Sequence, residues 1–186
     1  MNRIVVLIIL TTVLISCEPS PYKRLIDREL SRGIIIDSMP FGLQLGSSKK
    51  DFYDRCWKLN KEGIITQGPG NEFARYFMEP KDSLGKRIDM LFYGIFDAKD
   101  MMTGFRMKFS YTGWAPWNEA YQSIHLKEAI EDTLMKWYPG NDFIDLKLKN
   151  DKTFASYKIE GNLEFKLIKI DDRQIAVRIE DLRSKQ

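Results

Sequence analysis

The chain has 186 residues, with 29 Lys plus Arg against 26 Asp plus Glu and a single histidine. That length suits one domain built on one hydrophobic core. The charges alternate in sign, as in Lys49-Lys50-Asp51 and Asp171-Asp172-Arg173, and form no basic stripe of the kind nucleic-acid binding needs, so no nucleic-acid partner is expected.

Arg3 supplies a short basic start, residues 4–14 form an apolar run interrupted by Thr11 and Thr12, and Leu14-Ile15-Ser16-Cys17 closes it. That order is the order of a secretory signal peptide. The run is shorter than the roughly 20 apolar residues that span a bilayer, and Glu18-Pro19-Ser20-Pro21 follows it in place of a second apolar stretch. Leu14-Ile15-Ser16-Cys17 resembles the lipobox of bacterial lipoproteins, in which the cysteine thiol takes a diacylglycerol before the signal is cut off in front of it. The resemblance implies a signal peptide over 1–16 and a lipid on Cys17. It also implies a lipid-anchored domain at a membrane surface of the cell envelope, with the outer membrane, periplasmic or surface-facing, as the expected place. Two or more acyl chains hold a protein stably where one does not. With Cys17 lipidated, Cys56 is the thiol that remains, and no intramolecular disulfide is expected.

Residues 17–33 contain prolines and then a dense run of charge, Tyr22-Lys23-Arg24 and Asp27-Arg28-Glu29. They read as a solvated tether, in which Leu25, Ile26 and Leu30 allow a turn or two of helix. The domain is expected over 34–186, with Ile34-Ile35-Ile36 as its first strand. Ser47 or Ser48 is an N-cap, Asp51 completes a capping-box variant with Ser48, and Gly63 stands past the end, which predicts a helix between them. Phe52, Cys56 and Leu59 share its buried face, with Tyr53 and Trp57 at the border. Strands are predicted over 72–79, 87–96 and 103–111, joined at Gln67-Gly68-Pro69-Gly70-Asn71 and Asp82-Ser83-Leu84-Gly85. In the last of them Phe105, Met107, Phe109 and Tyr111 alternate with polar residues, one face in a core and one in water.

A second helix is predicted over 116–138, with Trp117, Ile124, Ile130, Leu134 and Trp137 on one side and Asn118, Gln122, His125, Asp132 and Lys136 on the other. Strands over 143–148, 153–160, 163–170 and 174–182 follow, with turns at Asn150-Asp151, Gly161-Asn162 and Asp171-Asp172. Residues 73–79 and 154–160 share Phe, Ala, Tyr and Glu at equal spacing, and each segment follows a helix and precedes two strands. The expected fold is therefore α+β: two tandem repeats of a helix followed by antiparallel strands, over about 41–111 and 114–182, with the helices packed on the sheet. This order resembles the architecture of the β-lactamase-inhibitor proteins and of small outer-membrane assembly lipoproteins. Phe41-Gly42-Leu43-Gln44-Leu45-Gly46-Ser47-Ser48 is similar to the entry of such units. No contact residue of those families is visible here.

Chemical vocabulary is sparse. A hydrolytic triad or Cys-His pair needs a nucleophile beside a base, but His125 falls on a polar helix side and Cys56 in an apolar stripe that raises a thiol's pKa. One histidine near Glu128 is far short of a zinc or iron site, and Asp97-Ala98-Lys99-Asp100 is too sparse for calcium. Gly68-Pro69-Gly70 lacks the Gly-Lys-Ser/Thr ending of a phosphate loop, so neither metal nor cofactor is expected. The segment Tyr111-Thr112-Gly113-Trp114-Ala115-Pro116-Trp117 gathers large aromatics in a connection. It reads either as a binding platform for a sugar or a protein partner, or as a plug between strand and helix. Gly113 and Pro116 favour Trp114 as the residue that faces out, with Trp117 packed on Tyr121. The expected function is a lipid-anchored, non-catalytic binding module for a protein or a glycan, with Trp114, Trp117 and Tyr111 as candidate contacts. A carboxylate-dependent enzyme acting on envelope polysaccharide and an envelope assembly or structural factor stay open as alternatives.

Overall fold

A computed structural model describes residues 19–80, 85–146, 148 and 153–185. The expected signal peptide, Cys17 and the turn expected at Asn150-Asp151 lie outside the described residues, as do Asp82, Ser83 and Leu84. The fold is mixed α+β. Three helices, α1 (Pro21–Ser31), α2 (Lys49–Lys61) and α3 (Lys127–Trp137), pack on a large antiparallel sheet. Its strands are β3 (Thr66–Gln67), β4 (Ala74–Met78), β5 (Ile88–Phe96), β6 (Met102–Tyr111), β7 (Ile144–Asp145), β8 (Ala155–Glu160), β9 (Leu163–Lys169) and β10 (Ile175–Asp181). They lie in the order β3-β4-β5-β6-β10-β9-β8-β7, and a small hairpin of β1 (Ser38–Met39) and β2 (Leu43–Gln44) stands apart.

The period-2 patterns decide which face meets the core. Phe105, Met107 and Phe109 on β6 pair with Ile179, Val177 and Ile175 on β10, and all six are fully or almost fully buried. Phe52 and Leu59 of α2 and Ile130 and Leu134 of α3 pack into the same cluster. Helix α2 begins as its sequence predicts: the Ser48 backbone N–H donates to the Asp51 carboxylate at 3.1 Å, and the Asp51 N–H donates to Ser48 Oγ at 3.2 Å. These two bonds satisfy donors that a helix start otherwise leaves open.

Three local expectations are corrected. The segment expected as a solvated tether is the three-turn helix α1, started by Ser20 and docked on the opposite face of the sheet. Tyr22, Leu25, Ile26 and Leu30 meet Tyr157, Ile159 and Leu182 there, so β8 is sandwiched between α1 and α3 and all six of its residues are buried. Ile34-Ile35-Ile36 forms no strand, because the side-chain amide of Asn162 takes the place of a partner strand: it accepts from the Ile36 N–H at 2.6 Å and donates to the Ile36 carbonyl at 3.3 Å. The predicted long second helix is helical in the α sense only from Lys127. Before it lie short 3-10 turns at Glu119–Tyr121 and Ser123–Leu126, separated at Gln122 by extended backbone. Ser123 is pulled out of register by the sheet, its N–H donating to the Asp172 carbonyl at 2.7 Å and its hydroxyl to the Asp171 carbonyl.

Candidate functional site

The aromatic loop does not present the residues in the expected way. Tyr111 ends β6 with 7% of its surface exposed, its hydroxyl donating to the His125 carbonyl at 3.0 Å. Trp114 is half-buried; its indole N–H donates to the Asp172 carbonyl at 3.1 Å, and the Arg173 guanidinium lies 5.6 Å from its ring. Trp117, expected as the plug, is 85% exposed, and Ile124, expected on the buried side, is exposed too. The roles of the two tryptophans are reversed because the helical projection that placed Trp117 inward assumed a continuous helix, and the 3-10 turns break it. Gly113 is where the loop closes on itself: a β-carbon there would meet the Tyr121 ring at 2.9 Å. Tyr111, Trp114 and Trp117 therefore do not form one platform.

A different aromatic cluster does. Tyr53 and Trp57, one turn apart on α2, are 50% and 64% exposed. They border a groove of about 520 Å³ whose other walls include Cys56, Ile65, Phe73 and Tyr93. Helix α2 supplies one side because Phe52 and Leu59 are its fully buried residues, while Cys56 is partly buried and Tyr53 and Trp57 stand outside the core. The end of the sheet supplies the other, because β4 begins at Ala74 and leaves Tyr93 of β5 without a neighbour on that side. The Tyr53 and Tyr93 hydroxyls lie 2.7 Å apart, and burial together with this bond pushes the Tyr93 phenol up to about 12. In this pair one hydroxyl donates to the other, which leaves one O–H free to donate to an acceptor in the groove.

Asp54 and Glu72 also line the groove, and cations stand against its aromatic walls. Arg106 lies 5.0 Å from the Phe73 ring and 5.2 Å from the Tyr93 ring, and the Lys108 ammonium lies 5.2 Å from Phe73. Among the described residues no carboxylate is within ion-pair distance of either cation. Lys61 sits over the Trp57 ring at 5.3 Å. Rings that already carry a cation on one face are oriented and partly desolvated, which suits them to stack on a flat or ring-shaped ligand.

Cys56 is half-buried, packed against the core on one side and lining this groove on the other; burial pushes its thiol up to about 11. A thiol held that high is a poor nucleophile at neutral pH. His125 is exposed on a 3-10 turn. Glu164 and Glu180 share the ammonium of Lys185, at 2.7 and 3.1 Å, and Glu164 is also covered by Tyr22 of α1. Two carboxylates that share Lys185 and are paired also with Lys166 and Arg178, the first of them buried, are badly placed for acid-base work on a sugar. Among the described residues there is no group of three or more His, Cys, Asp or Glu able to hold a metal ion, and no helix long and apolar enough to cross a membrane.

The α2 aromatics were legible as an i, i+4 pair at the edge of a helical stripe. Phe73, Arg106 and Lys108 were not, since only strand pairing brings residues so far apart in the chain together. Compared with known proteins, the chain matches no family model, no curated protein and no solved structure.

Proposed function

We propose that this chain is a lipid-anchored protein of the cell envelope that acts as a non-catalytic binding module, and that the α2 groove is where it takes a protein or glycan partner. The observation that carries the reading is the pair of exposed aromatics, Tyr53 and Trp57, facing Phe73 and Tyr93 across a groove, with Arg106 and Lys108 standing against the Phe73 ring. Large aromatics left in water are offset when a partner covers them, and such residues dominate the energy of the contacts they make. The lipobox at Leu14-Ile15-Ser16-Cys17 supports the address.

The tandem-repeat reading belongs to the same proposal. After α1 and the β1-β2 hairpin, each half of the described chain supplies one helix and then four strands, and the sheet order reads alike from both edges, with the fourth strands β6 and β10 meeting at the centre. The segments 73–79 and 154–160 fall on the second strand from either edge. This order supports an internal duplication and, with it, the resemblance to the β-lactamase-inhibitor architecture.

The test is affinity capture of the intact lipoprotein from its own membranes, with wild type beside Trp57→Ala and Arg106→Ala. The expected result is one dominant protein or glycan retained by wild type and reduced at least about tenfold, roughly 1.4 kcal/mol, by Trp57→Ala with an unchanged melting temperature. Equal recovery by all three would remove the groove from the binding surface. Turnover of envelope polysaccharide by the purified protein would replace this reading with the enzymatic one.

A further inference from the structure

The lipid anchor and the docking of α1 together determine which side of the domain faces the membrane. We propose that the uncovered end of the sheet beside the start of α1, formed by Ile144, Leu146, Ile168 and Ile170 and edged by Lys166, rests on the bilayer surface. This inference rests on the lipid-anchored reading of Cys17.

The four residue steps from Cys17 to Pro21 span at most about 14 Å even when fully extended. The acyl chains therefore cannot be far from the first turn of α1, and that turn does not swing free. Tyr22 packs edge-on against the Tyr157 ring, with ring centres 5.2 Å apart, and its hydroxyl donates to Glu164. At the other end of the helix, Glu29 accepts from the Gly161 N–H, and Arg32 reaches Glu160. Helix α1 therefore runs along β8 from Tyr157 toward Gly161, and the chain in front of it emerges over Tyr157.

Strand pairing shows what lies just ahead of that point. Ile144 of β7 pairs with Tyr157 and so shares its face, and the Leu146 N–H donates to the Ala155 carbonyl two residues further along the same edge. Ile168 of β9 pairs with both Ala155 and Ala176. Ile170 stands just beyond it, where the strand ends. All four apolar side chains are between 43% and 49% exposed, on one face of the two strands that flank β8, with the small Ala155 between them. A contiguous apolar patch of this kind marks an interaction surface.

Charge selects the occupant. Arg106, Arg178 and Lys166 stand directly opposite one another across three strands. Like charges placed so repel each other. Glu180 and Glu164 partly compensate Arg178 and Lys166, at 2.9 Å each, while Arg106 has no such partner among the described residues. An apolar patch beside a row of cations, within reach of acyl chains, fits the interface of a membrane with anionic headgroups.

The experiment uses the full lipidated chain with Cys56→Ser, reconstituted in vesicles of phosphatidylethanolamine and phosphatidylglycerol that carry brominated acyl chains. A polarity-sensitive fluorophore is placed at Ile168→Cys, at Ile170→Cys as a second position, and at Lys58→Cys on α2 across the sheet. The labels at 168 and 170 are expected to shift to the blue and lose most of their emission to bromine, while the label at 58 loses none. If the protein floats with the vesicles but all three labels behave alike, the orientation is wrong and the anchor stands. If it fails to float, or Cys17→Ala floats equally well, the anchor reading fails and takes this inference with it. Protection at 168 that occurs in native membranes and not in pure lipid would assign the patch to a protein partner and overturn the proposal.

Discussion

Trp114 and Trp117, three positions apart, differ in what holds them. The Trp114 indole is tied to the Asp172 carbonyl and covered by Arg173, whereas Trp117 stands 85% in water. Truncating the first removes a hydrogen bond and packing across the Asp171-Asp172 turn; truncating the second removes little of either. Trp114→Ala is expected to cost about 2 kcal/mol and Trp117→Ala no more than about 0.5 kcal/mol, measured as shifts in urea midpoint at constant slope. Equal costs would mean that the loop packs differently. Lys158 shows the same dependence on surroundings. It is completely buried, its ammonium donating to the Tyr138 carbonyl at 2.6 Å, and burial pulls its pKa down despite nearby Glu160 and Asp142. A lysine so enclosed joins α3 to β8 and has no access to a substrate.

Among the elements, α1 is the one whose attachment depends on charge. Glu29 is 1% exposed; burial pushes its carboxyl up, but hydrogen bonds from Asn141, Arg32 and the Gly161 N–H outweigh that and hold it below the ordinary value. Glu164 is likewise held low: burial opposes, and bonds from Lys185, Tyr22 and Lys166 prevail. Groups whose folded pKa is depressed contribute stability that is fully present above their unfolded values, about 4.3 for a glutamate. That stability is lost as pH falls through the folded values. Helix α1 is therefore expected to loosen on acidification below about pH 4, seen as faster hydrogen exchange of its amides ahead of those in β6 and β10. Glu29→Gln should cost about 2–3 kcal/mol at neutral pH by leaving Arg32 and the Gly161 N–H with a weaker acceptor, and should flatten the acid limb. Unchanged exchange in α1 at low pH would show that its apolar contacts suffice.

Across the whole molecule, the two halves meet along β6 and β10, where Phe105, Met107 and Phe109 face Ile179, Val177 and Ile175. They share one core: residues from α2 and α3 belong to one cluster, and the smaller cluster under α1 lies on the other face of the second half. The domain is expected to unfold as one unit. Met107→Ala and Ile179→Ala should each cost about 2–5 kcal/mol and lower the midpoint reported by Trp57 in one half and Trp137 in the other by the same amount. Two separated transitions would mean that each half holds its own core. One continuous sheet also joins the region of the α2 groove to the face beside α1.

Much of this was legible in the chain alone, and the boundary has a physical cause. Local signals determined local structure: the Ser48-Asp51 box started α2, alternation set the core face of β6 and β10, and Gly161-Asn162 turned β8 into β9, because each depends on neighbours a few residues away. The α+β class followed from the order of such segments. What only the tertiary structure decided involves partners distant in sequence. Asn162 reaches back to Ile36 and replaces a strand, Asp171 and Asp172 take Ser123 out of a helix, and Tyr157 and Ile159 give the charged segment 21–31 an apolar surface on which to become α1. The groove belongs to this second group. Tyr53 and Trp57 are one turn apart on a helix and could be read together, but Arg106 and Lys108 stand beside Tyr93 and Phe73 only because strand register sets them opposite Tyr93 and Leu91, and register is set by the core they surround.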